Sequence, residues 1–345
     1  MYKNLKKVHS EPYPGHRLFL ILLGLFLFVS SVKAGSNDQE EGGRFNPGEM
    51  IMHHITDSHV WHLWDGEHGT IFLPVIVYSK ERGFDIFSSH RFYDEHHNLV
   101  SYDGYTLEHE HIVLEGGSHV YDFSITKNTL WLFITALTVF FVFFSVARGF
   151  KKNEGRAPKG IQSFFEPFVI YFRDEVIKAN IGSGYEKYVP YILTLFFFIL
   201  FGNLFGLLPG AANLTGNIAV TSTLAFFTFL ITNFSGNKNY WKHIFWTPGV
   251  PLPLRLIILP VEIIGMFTKP FALLIRLFVA ITAGHVVILS LISMAFIFQS
   301  WAVGFGSTIL VVFISLIEVL VAAIQAYVFT IFTAVYIGMA TEDEH

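Results

Sequence analysis

Hydrophobic and polar positions follow two different patterns along this chain, and the change falls near residue 125. Before it, short alternating runs such as "GTIFLPVIVYS" (69–79) and "HIVLEGGSHVYDFSIT" (111–126) are separated by Gly, Asp and Asn. Alternation with a period of two is typical of half-buried β-strands. After it, the apolar runs are long enough to cross a bilayer. The pattern predicts a small β-containing region followed by a helical membrane region.

Three apolar runs predict the first membrane-spanning helices, at 128–150, 188–210 and 217–234. Each is close to the roughly 20 residues that cross a hydrocarbon core of about 30 Å. Between the first two runs, apolar residues recur at helical spacing, which predicts an amphipathic helix along the membrane face. These residues are Phe164, Phe165, Phe168, Val169, Phe172, Val176 and Ile177.

The last two apolar runs are too long for upright helices. The run 258–298 has a helical length of about 61 Å and the run 306–339 about 51 Å, against a hydrocarbon thickness of about 30 Å. A pair of spans in each run needs a polar turn at the membrane surface, and neither run offers one. We therefore expect two steeply tilted helices joined by "QSWAVGF" (299–305). The predicted fold class is an all-α polytopic membrane protein with about five transmembrane helices, an interfacial helix and a small extramembrane N-terminal region.

Basic residues predict the orientation. The segment 151–187 carries seven Lys or Arg residues, and the link after residue 234 is also basic, which places both in the cytoplasm. A basic start, an apolar core at 18–32 and small residues ending at Ala34 indicate a secretory signal peptide over 1–34. An uncleaved first helix is the alternative. The predicted division is a signal peptide at 1–34, an extracytoplasmic His-rich region at 35–125 and a membrane domain at 126–345, with the C-terminus cytoplasmic.

Composition adds one open question about metals. The chain has no cysteine, which excludes disulfides and thiolate sites, and 13 of its 16 histidines precede residue 120. The segment "HHITDSHVWHLWDGEH" combines imidazoles and carboxylates that suit zinc or copper, but their spacing fits no defined site. A solvated, pH-responsive surface is the other interpretation, so no metal site is assigned. The residues concerned are His53, His54, Asp57, His59, His62, Asp65 and His68.

Arg276 lies within the apolar stretch "KPFALLIRLFVAITAGHVVIL" (269–289). Ionisable groups inside the membrane cost free energy and are functional-site candidates. Glu262, Lys269 and Arg276 are seven residues apart, so they lie on one stripe of the helix. Glu262 and Lys269 are then either the walls of a wet cytoplasmic cleft or a pair that snorkels to the interface.

His285 lies on the opposite side of that helix and further out, because it is nine residues beyond Arg276. On the final helix, Glu318, Gln325 and Tyr336 share one face. If the two helices run antiparallel, His285 and Glu318 lie at similar depth and form a pair that can relay a proton or serve only as a structural ion pair.

The chemistry of arginine limits what Arg276 can do. A guanidinium does not release its proton at ordinary pH. Arg276 is therefore a poor relay and a good barrier between groups on either side of it. It is also a counter-charge that lowers the pKa of a passing carboxylate. No other acid of this chain is placed to move past it, which predicts that the carboxylate belongs to a partner.

At these residues the sequence resembles subunit a of the F-type ATP synthase, in a bacterial form with an extended N-terminal region. The resemblance rests on "RLFVAITAGHVV", "SLIEVLVAAIQAYVFTIFTAVYIGMA", "FGNLFGLLPG" and "TGNIAVTSTLA", and covers about residues 120–345. It implies a stator that lies against a ring of c subunits, with Arg276 separating two offset half-channels. It assigns His285, Glu318 and Gln325 to the outer half-channel and Glu262 to the cytoplasmic one.

The resemblance also implies partners and a location. These are the c-ring subunits, the peripheral-stalk b subunits, other ATP synthase subunits, protons and lipid of the bacterial inner (plasma) membrane. No nucleic acid, cofactor or metal is expected, and the chain is not catalytic by itself. Gly206, Ala280 and Asn217 depart from residues that are common in the family, so Asn203, Asn217 or groups near Lys127 and Asn128 are candidates to fill that role.

Two other classes of function remain open at this point. One is a metal-ion or solute transporter whose His-rich region captures the substrate. It predicts internal repeats with paired interrupted helices, and none is visible in the sequence. The other is a membrane anchor for an outer domain, which leaves Arg276 unexplained.

Overall fold

The computed structural model describes most of the chain from residue 56 onward. The predicted signal segment at 1–34 lies outside the described residues. The described ranges are 46–48, 51–52, 56–62, 69–94, 99–108, 110–114, 120–208, 210–246 and 251–342.

The region before residue 126 contains short antiparallel strands, as the alternating pattern predicts. The strands are β1 (Val60–His62), β2 (Thr70–Phe72), β3 (Pro74–Ser79), β4 (Gly83–Ser88), β5 (Tyr105–Glu108), β6 (His111–Leu114) and β7 (Val120–Asp122). β1 pairs with β2, β5 pairs with β6, and β3 lies between β4 and β7 in a three-stranded sheet. One set of alternating side chains forms the core: Val75, Val77, Phe92, Tyr105, Ile112 and Leu114.

A buried histidine holds three parts of this β region together. His59 is only 2% exposed, and its Nε2 lies 3.1 Å from a carboxylate oxygen of Asp122, with Nδ1 3.7 Å from Glu110. Burial alone lowers the pKa of His59, but the two carboxylates outweigh it and raise the pKa to about 9. At neutral pH His59 is therefore a buried cation between two anions.

Seven helices follow within the described part of the chain. They are α1 (Lys127–Lys152), α2 (Ile161–Tyr171), α3 (Val189–Gly206), α4 (Ile218–Phe234), α5 (Lys238–Phe245), α6 (Leu252–Phe298) and α7 (Trp301–Thr341). Among the described residues α1, α3, α6 and α7 are long and apolar enough to cross a membrane, and α4 joins them if its 102° bend into α5 lies within one span. The prediction of about five membrane-spanning helices is confirmed.

The predicted amphipathic helix is α2 and its continuation. After Tyr171 the backbone forms a π-helical segment, Phe172–Lys178, and ends at Ile181. Phe172, Val176 and Ile177 are buried, whereas Phe164 and Phe168 on the preceding turns stay exposed. The inner face already includes Gln162 and Phe165 of α2, and Phe164 and Phe168 lie on the opposite face.

The last two helices are continuous, so the prediction of two long helices is right, and the predicted joint begins at the right residue but is five residues too long. The joint consists of Gln299 and Ser300 alone, with Gln299 in the left-handed region at φ 44°. Residues 301–305 were expected in the joint but form the first turns of α7, because they carry no Pro and no polar cluster. With 47 and 41 residues, α6 and α7 are about 70 and 62 Å long at the helical rise of about 1.5 Å per residue.

The helical core forms around α3, which is apolar on all sides. Ile192, Leu195, Phe197 and Ile199 of α3 are buried. α7 packs against both α6 and α3, and α4 packs against α6. This arrangement places the charged residues of α6 and α7 between neighbouring helices and on the outer surface of the hairpin.

We expect His59→Gln to destabilise the β region by up to about 3 kcal/mol at neutral pH, the equivalent of the raised pKa. The stabilisation is full below the ordinary pKa of 6.5 and is lost as pH rises through about 9. Hydrogen–deuterium exchange of 69–94 in the full chain measures it. His111→Gln, at an exposed position at the start of β6, is the matched control; equal protection in both variants at pH 7 would contradict the prediction.

Candidate functional site

Arg276 lies on the exposed surface of α6, among apolar side chains. Its neighbours along the same helix, Phe271, Ile275 and Val279, are also exposed. The guanidinium carbon lies 4.7 Å from the centroid of the Phe332 ring on α7. Arg276 makes no hydrogen bond or ion pair with any residue that the structure describes. The charge is therefore held over an aromatic face and is uncompensated within this part of the chain.

Lys269 lies two turns earlier on α6 and faces α7. Its Nζ is 5.6 Å from the centroid of the Tyr336 ring. The side chains of Lys269 and Tyr336 are half-buried. Glu262, seven residues before Lys269 on the same helix, is also half-buried. The sequence placed Glu262, Lys269 and Arg276 on one stripe, and the structure brings Lys269 and Arg276 against the same neighbouring helix.

A small cavity of about 10 Å³, roughly the space of one water molecule, adjoins Lys269. Six of its lining side chains carry polar groups: Thr228, Thr232, Asn233, Tyr240, Lys269 and Tyr336. The Tyr240 hydroxyl donates to Asn233 at 3.2 Å, and the Tyr191 and Thr228 hydroxyls are 3.0 Å apart at its edge. Three of these six groups come from α4 and one from α5, so the two helices on either side of the bend supply a polar wall opposite α6.

His285 and Glu318 face each other on the other side of Arg276. The distance from His285 Nδ1 to Glu318 Oε1 is 3.8 Å, and neither atom has a hydrogen-bond partner in the part of the chain described. His285 Nε2 lies 3.0 Å from the carbonyl oxygen of Gly206. A carbonyl only accepts, so Nε2 carries the proton. The Nδ1 lone pair of neutral His285 is then free to exchange a proton with Glu318.

Gly284 makes room for the Glu318 carboxylate. A Cβ atom at residue 284 collides with Glu318 Oε1 and lies 3.0 Å from its Cδ. In contrast, a Cβ at Gly265, on the same helix, meets nothing within 4 Å. Any larger residue at 284 requires the Glu318 carboxylate to shift from this position.

The remaining predicted site residues take different places. Asn203 is buried and bridges two elements, because Thr215 donates to its Oδ1 at 2.6 Å and its Nδ2 donates to the Ala322 carbonyl at 3.2 Å. Asn217 caps α4 by accepting from the Ala219 amide at 2.8 Å. Gln325 is half-buried on α7, between the residues that contact Arg276 and His285.

Order along the hairpin separates the polar groups into two sets. The contacts of α6 with α7 run from Lys269–Tyr336 through Arg276–Phe332 to His285–Glu318. The cavity beside Lys269 therefore lies on one side of Arg276 and the acid–base pair on the other. This is the arrangement that the spacing of these residues predicts.

Sequence reasoning missed several residues. Thr228 and Thr232 are four apart on the third apolar run, and this spacing is a signal for one polar face. Gly284 and Phe332 carry no such signal, because one acts by lacking a side chain and the other resembles any apolar residue of a membrane helix.

The described residues contain no group of three His, Asp or Glu side chains that could hold a metal ion. Of the His-rich segment, His53, His54, Asp65 and His68 lie outside the described residues. His59 is within them, and its ring is engaged by Asp122.

An arginine exposed on an apolar surface and a buried acid–base pair, both inside long apolar helices, define a polytopic helical membrane protein with ionisable groups in its spans. The profile of the family described as "ATP synthase A chain" matches residues 129–338. The chain belongs to this family.

The similarity to individual relatives extends over most of the chain. It is 39% identical to ATP synthase subunit a 2 of Prosthecochloris aestuarii, over 95% of this chain and 94% of the relative. It is 40% identical to ATP synthase subunit a 2 of Chlorobaculum tepidum, over 87% of this chain and 75% of the relative. It is 35% identical to ATP synthase subunit a of an Anaeromyxobacter species, over 90% and 76%. The region 50–130 separately matches a domain of unknown function (DUF8433).

We expect Gly284→Ala to lower the stability of the folded chain by about 1–3 kcal/mol, the usual range for overpacking a filled site. The Glu318 carboxylate must move to admit the added methyl group. Gly265→Ala is the matched control, since its methyl group meets open space and alanine favours the helix. Thermal unfolding in detergent measures both; an unchanged melting temperature for Gly284→Ala would show that Glu318 moves freely.

Proposed function

We propose that the chain is the proton-translocating stator subunit in the Fo sector of an F-type ATP synthase in the bacterial inner membrane. The observation that carries the proposal is the charge of Arg276, exposed among apolar side chains and without an anionic partner in the described chain. Family membership favours this function over a metal or solute transporter. We place the region before residue 126, which follows the predicted signal peptide, outside the cytoplasm. We place the C-terminus in the cytoplasm.

The partner that suits Arg276 is a carboxylate on another chain. An exposed guanidinium among apolar side chains costs free energy until an anion approaches it. In subunit a families that anion is the membrane carboxylate of a rotating c-ring. A cation within about 4–6 Å lowers the pKa of a carboxylate by about 1–3 units, so an arriving ring acid releases its proton beside Arg276.

His285 and Glu318 supply protons on the outer side of this barrier. Their facing atoms, 3.8 Å apart, are close enough to exchange a proton after a small side-chain rotation. The Gly206 carbonyl fixes the tautomer of His285 and so directs Nδ1 to the acid. Gln325 lies between this pair and Arg276, where its amide can donate and accept hydrogen bonds that orient water or the ring acid along the path. Asn203 orders the surrounding wall and Asn217 the start of α4.

The cavity beside Lys269 receives protons on the cytoplasmic side. Its polar lining from α4 and α5 can hold water next to Tyr336. Glu262 extends the polar stripe towards the basic links that face the cytoplasm. The two half-channels are then offset along the hairpin, and a proton crosses only by riding on the ring past Arg276.

The energy comes from the membrane potential and the proton gradient. One charge crossing 100 mV releases about 2.3 kcal/mol, so several protons must pass for each ATP made. The chain itself performs no bond chemistry and requires no cofactor. Its other proposed partners are the peripheral-stalk b subunits and membrane lipid; no nucleic acid is involved.

We expect Arg276→Ala to abolish ATP-driven proton pumping and ATP synthesis while the complex still assembles, since the barrier and the counter-charge are both removed. Acidification of inverted membrane vesicles measures pumping, and subunit content measures assembly. Arg148→Ala is the matched control, because Arg148 also lies over a phenylalanine ring, at 4.2 Å from Phe144. Coupled pumping in Arg276→Ala at the wild-type rate would refute the proposed function.

We expect His285→Glu and Glu318→His to lower pumping at least about tenfold each, while the double variant recovers most of the activity. Each single variant leaves two acids or two bases, and the double variant restores one of each. Neighbouring sites couple by about 0.5–3 kcal/mol. Strictly additive losses in the double variant would indicate that the two residues do not exchange a proton.

A further inference from the structure

The loop between α3 and α4 covers the acid–base pair and is held at three points. His285 Nε2 donates to the Gly206 carbonyl at the end of α3. Thr215, at the other end of the loop, donates to Asn203. Between them, Trp61 Nε1 of the β region donates to the Gly210 carbonyl at 2.7 Å. The β region therefore contacts directly the loop that supplies the acceptor for His285.

Trp61 is itself held rigidly by the membrane region. Its ring packs edge-on against Trp131 of α1 with centroids 5.5 Å apart, and Trp131 lies 6.1 Å from Phe205 of α3. The chain just before β1 is fixed to the start of α1, since the Asn128 amide donates to Asp57 at 3.0 Å and the Lys127 amide to the Ser58 carbonyl at 2.9 Å. Strand β1 thus has a fixed position relative to α1 and α3.

Two backbone hydrogen bonds connect the loop at Ala211 to the last turn of α3. The Leu208 amide donates to Phe205, and the Ala211 amide to Leu208, in successive tight turns. A displacement of Gly210 therefore moves the end of α3. The Gly206 carbonyl moves with it, and that carbonyl orients the His285 ring.

We propose that Trp61 is a positioning residue for proton entry: its indole N–H holds the α3–α4 loop so that the Gly206 carbonyl keeps His285 aligned with Glu318. This inference rests on the proposed function and assigns a role to the β region. Trp61 does not touch the proton path; it acts through the loop. The titratable groups near the loop come from four elements. They are Asp57 just before β1, Lys127 at the start of α1, His285 of α6 and Glu318 of α7.

Loss of the indole N–H has a specific expected effect. His285 becomes free to rotate, so fewer molecules hold Nδ1 towards Glu318 at a given outer proton concentration. Arg276 and the cavity beside Lys269 are far along the hairpin and keep their geometry. The outer proton concentration for half-maximal rate should therefore rise, while the maximal rate stays close to that of the wild type.

The experiment uses the whole ATP synthase in liposomes. The rate of ATP synthesis is measured as a function of the pH on the membrane side that carries the β region, called the outer pH. The pH on the opposite side and the membrane potential are held constant. Trp61→Phe retains an aromatic ring and removes the N–H. We expect half-maximal synthesis at about threefold higher outer proton concentration, the scale of one lost hydrogen bond, with an unchanged maximum. Trp301→Phe is the control, because it makes the same change at a tryptophan that is 95% exposed at the start of α7 and lies outside this set of contacts.

The outcomes are distinguishable. A shift in Trp61→Phe alone supports the inference; no shift, an equal shift in both variants, or an equal loss at every outer pH overturns it. If Trp61→Phe does not assemble, replacement of Trp61 by benzothienylalanine keeps the bicyclic shape without the N–H and is read by the same criteria. Synthesis that does not require Arg276 refutes the proposed function, whereas Arg276-dependent synthesis without the Trp61 shift refutes this inference alone.

Discussion

An unpaired positive charge on an apolar surface is the constraint on which the rest of this structure depends. Arg276 lies near the middle of α6, too far from either end of the helix for its side chain to extend to water. No described acid neutralises its charge. The Phe332 ring beneath it offers an aromatic face, a weak attraction compared with an ion pair. In the proposed function, a carboxylate from another molecule completes the site, and polar groups lie on both sides of Arg276 without connecting through it.

The long hairpin and its charged residues are largely predictable from the sequence, because few physical solutions exist for apolar runs of this length. The spacing of Glu262, Lys269 and Arg276 fixes their face, and the antiparallel pairing of α6 with α7 brings His285 to Glu318. The joint was predicted five residues too long because Trp301 and its neighbours are as apolar as the helix they begin. The end of the first helix at Phe298 was predicted correctly, and the left-handed backbone of Gln299 forms the turn.

Features that depend on contacts between distant segments could not be predicted. The polar cavity beside Lys269 forms because α4 bends by 102° into α5, which brings Thr232 and Tyr240 opposite α6. The Gly206 carbonyl reaches His285 only once α3 and α6 have packed together. The link of Trp61 to Gly210 joins residues 149 positions apart, and neither carries a local signal of the other. Such contacts depend on tertiary packing and produce no periodic pattern in the sequence.

The two-residue joint between α6 and α7 has a mechanical consequence. With only Gln299 and Ser300 between them, one helix cannot slide past the other by a full turn, since a turn is about 5.4 Å and would separate every contact along the hairpin. In a rotary machine the stationary side must resist a reaction torque equal to the torque that it exerts. Under the proposed stator function, the hairpin carries that load as shear between two helices whose relative register is fixed at one end, and its stiffness limits the elastic energy stored in the stator.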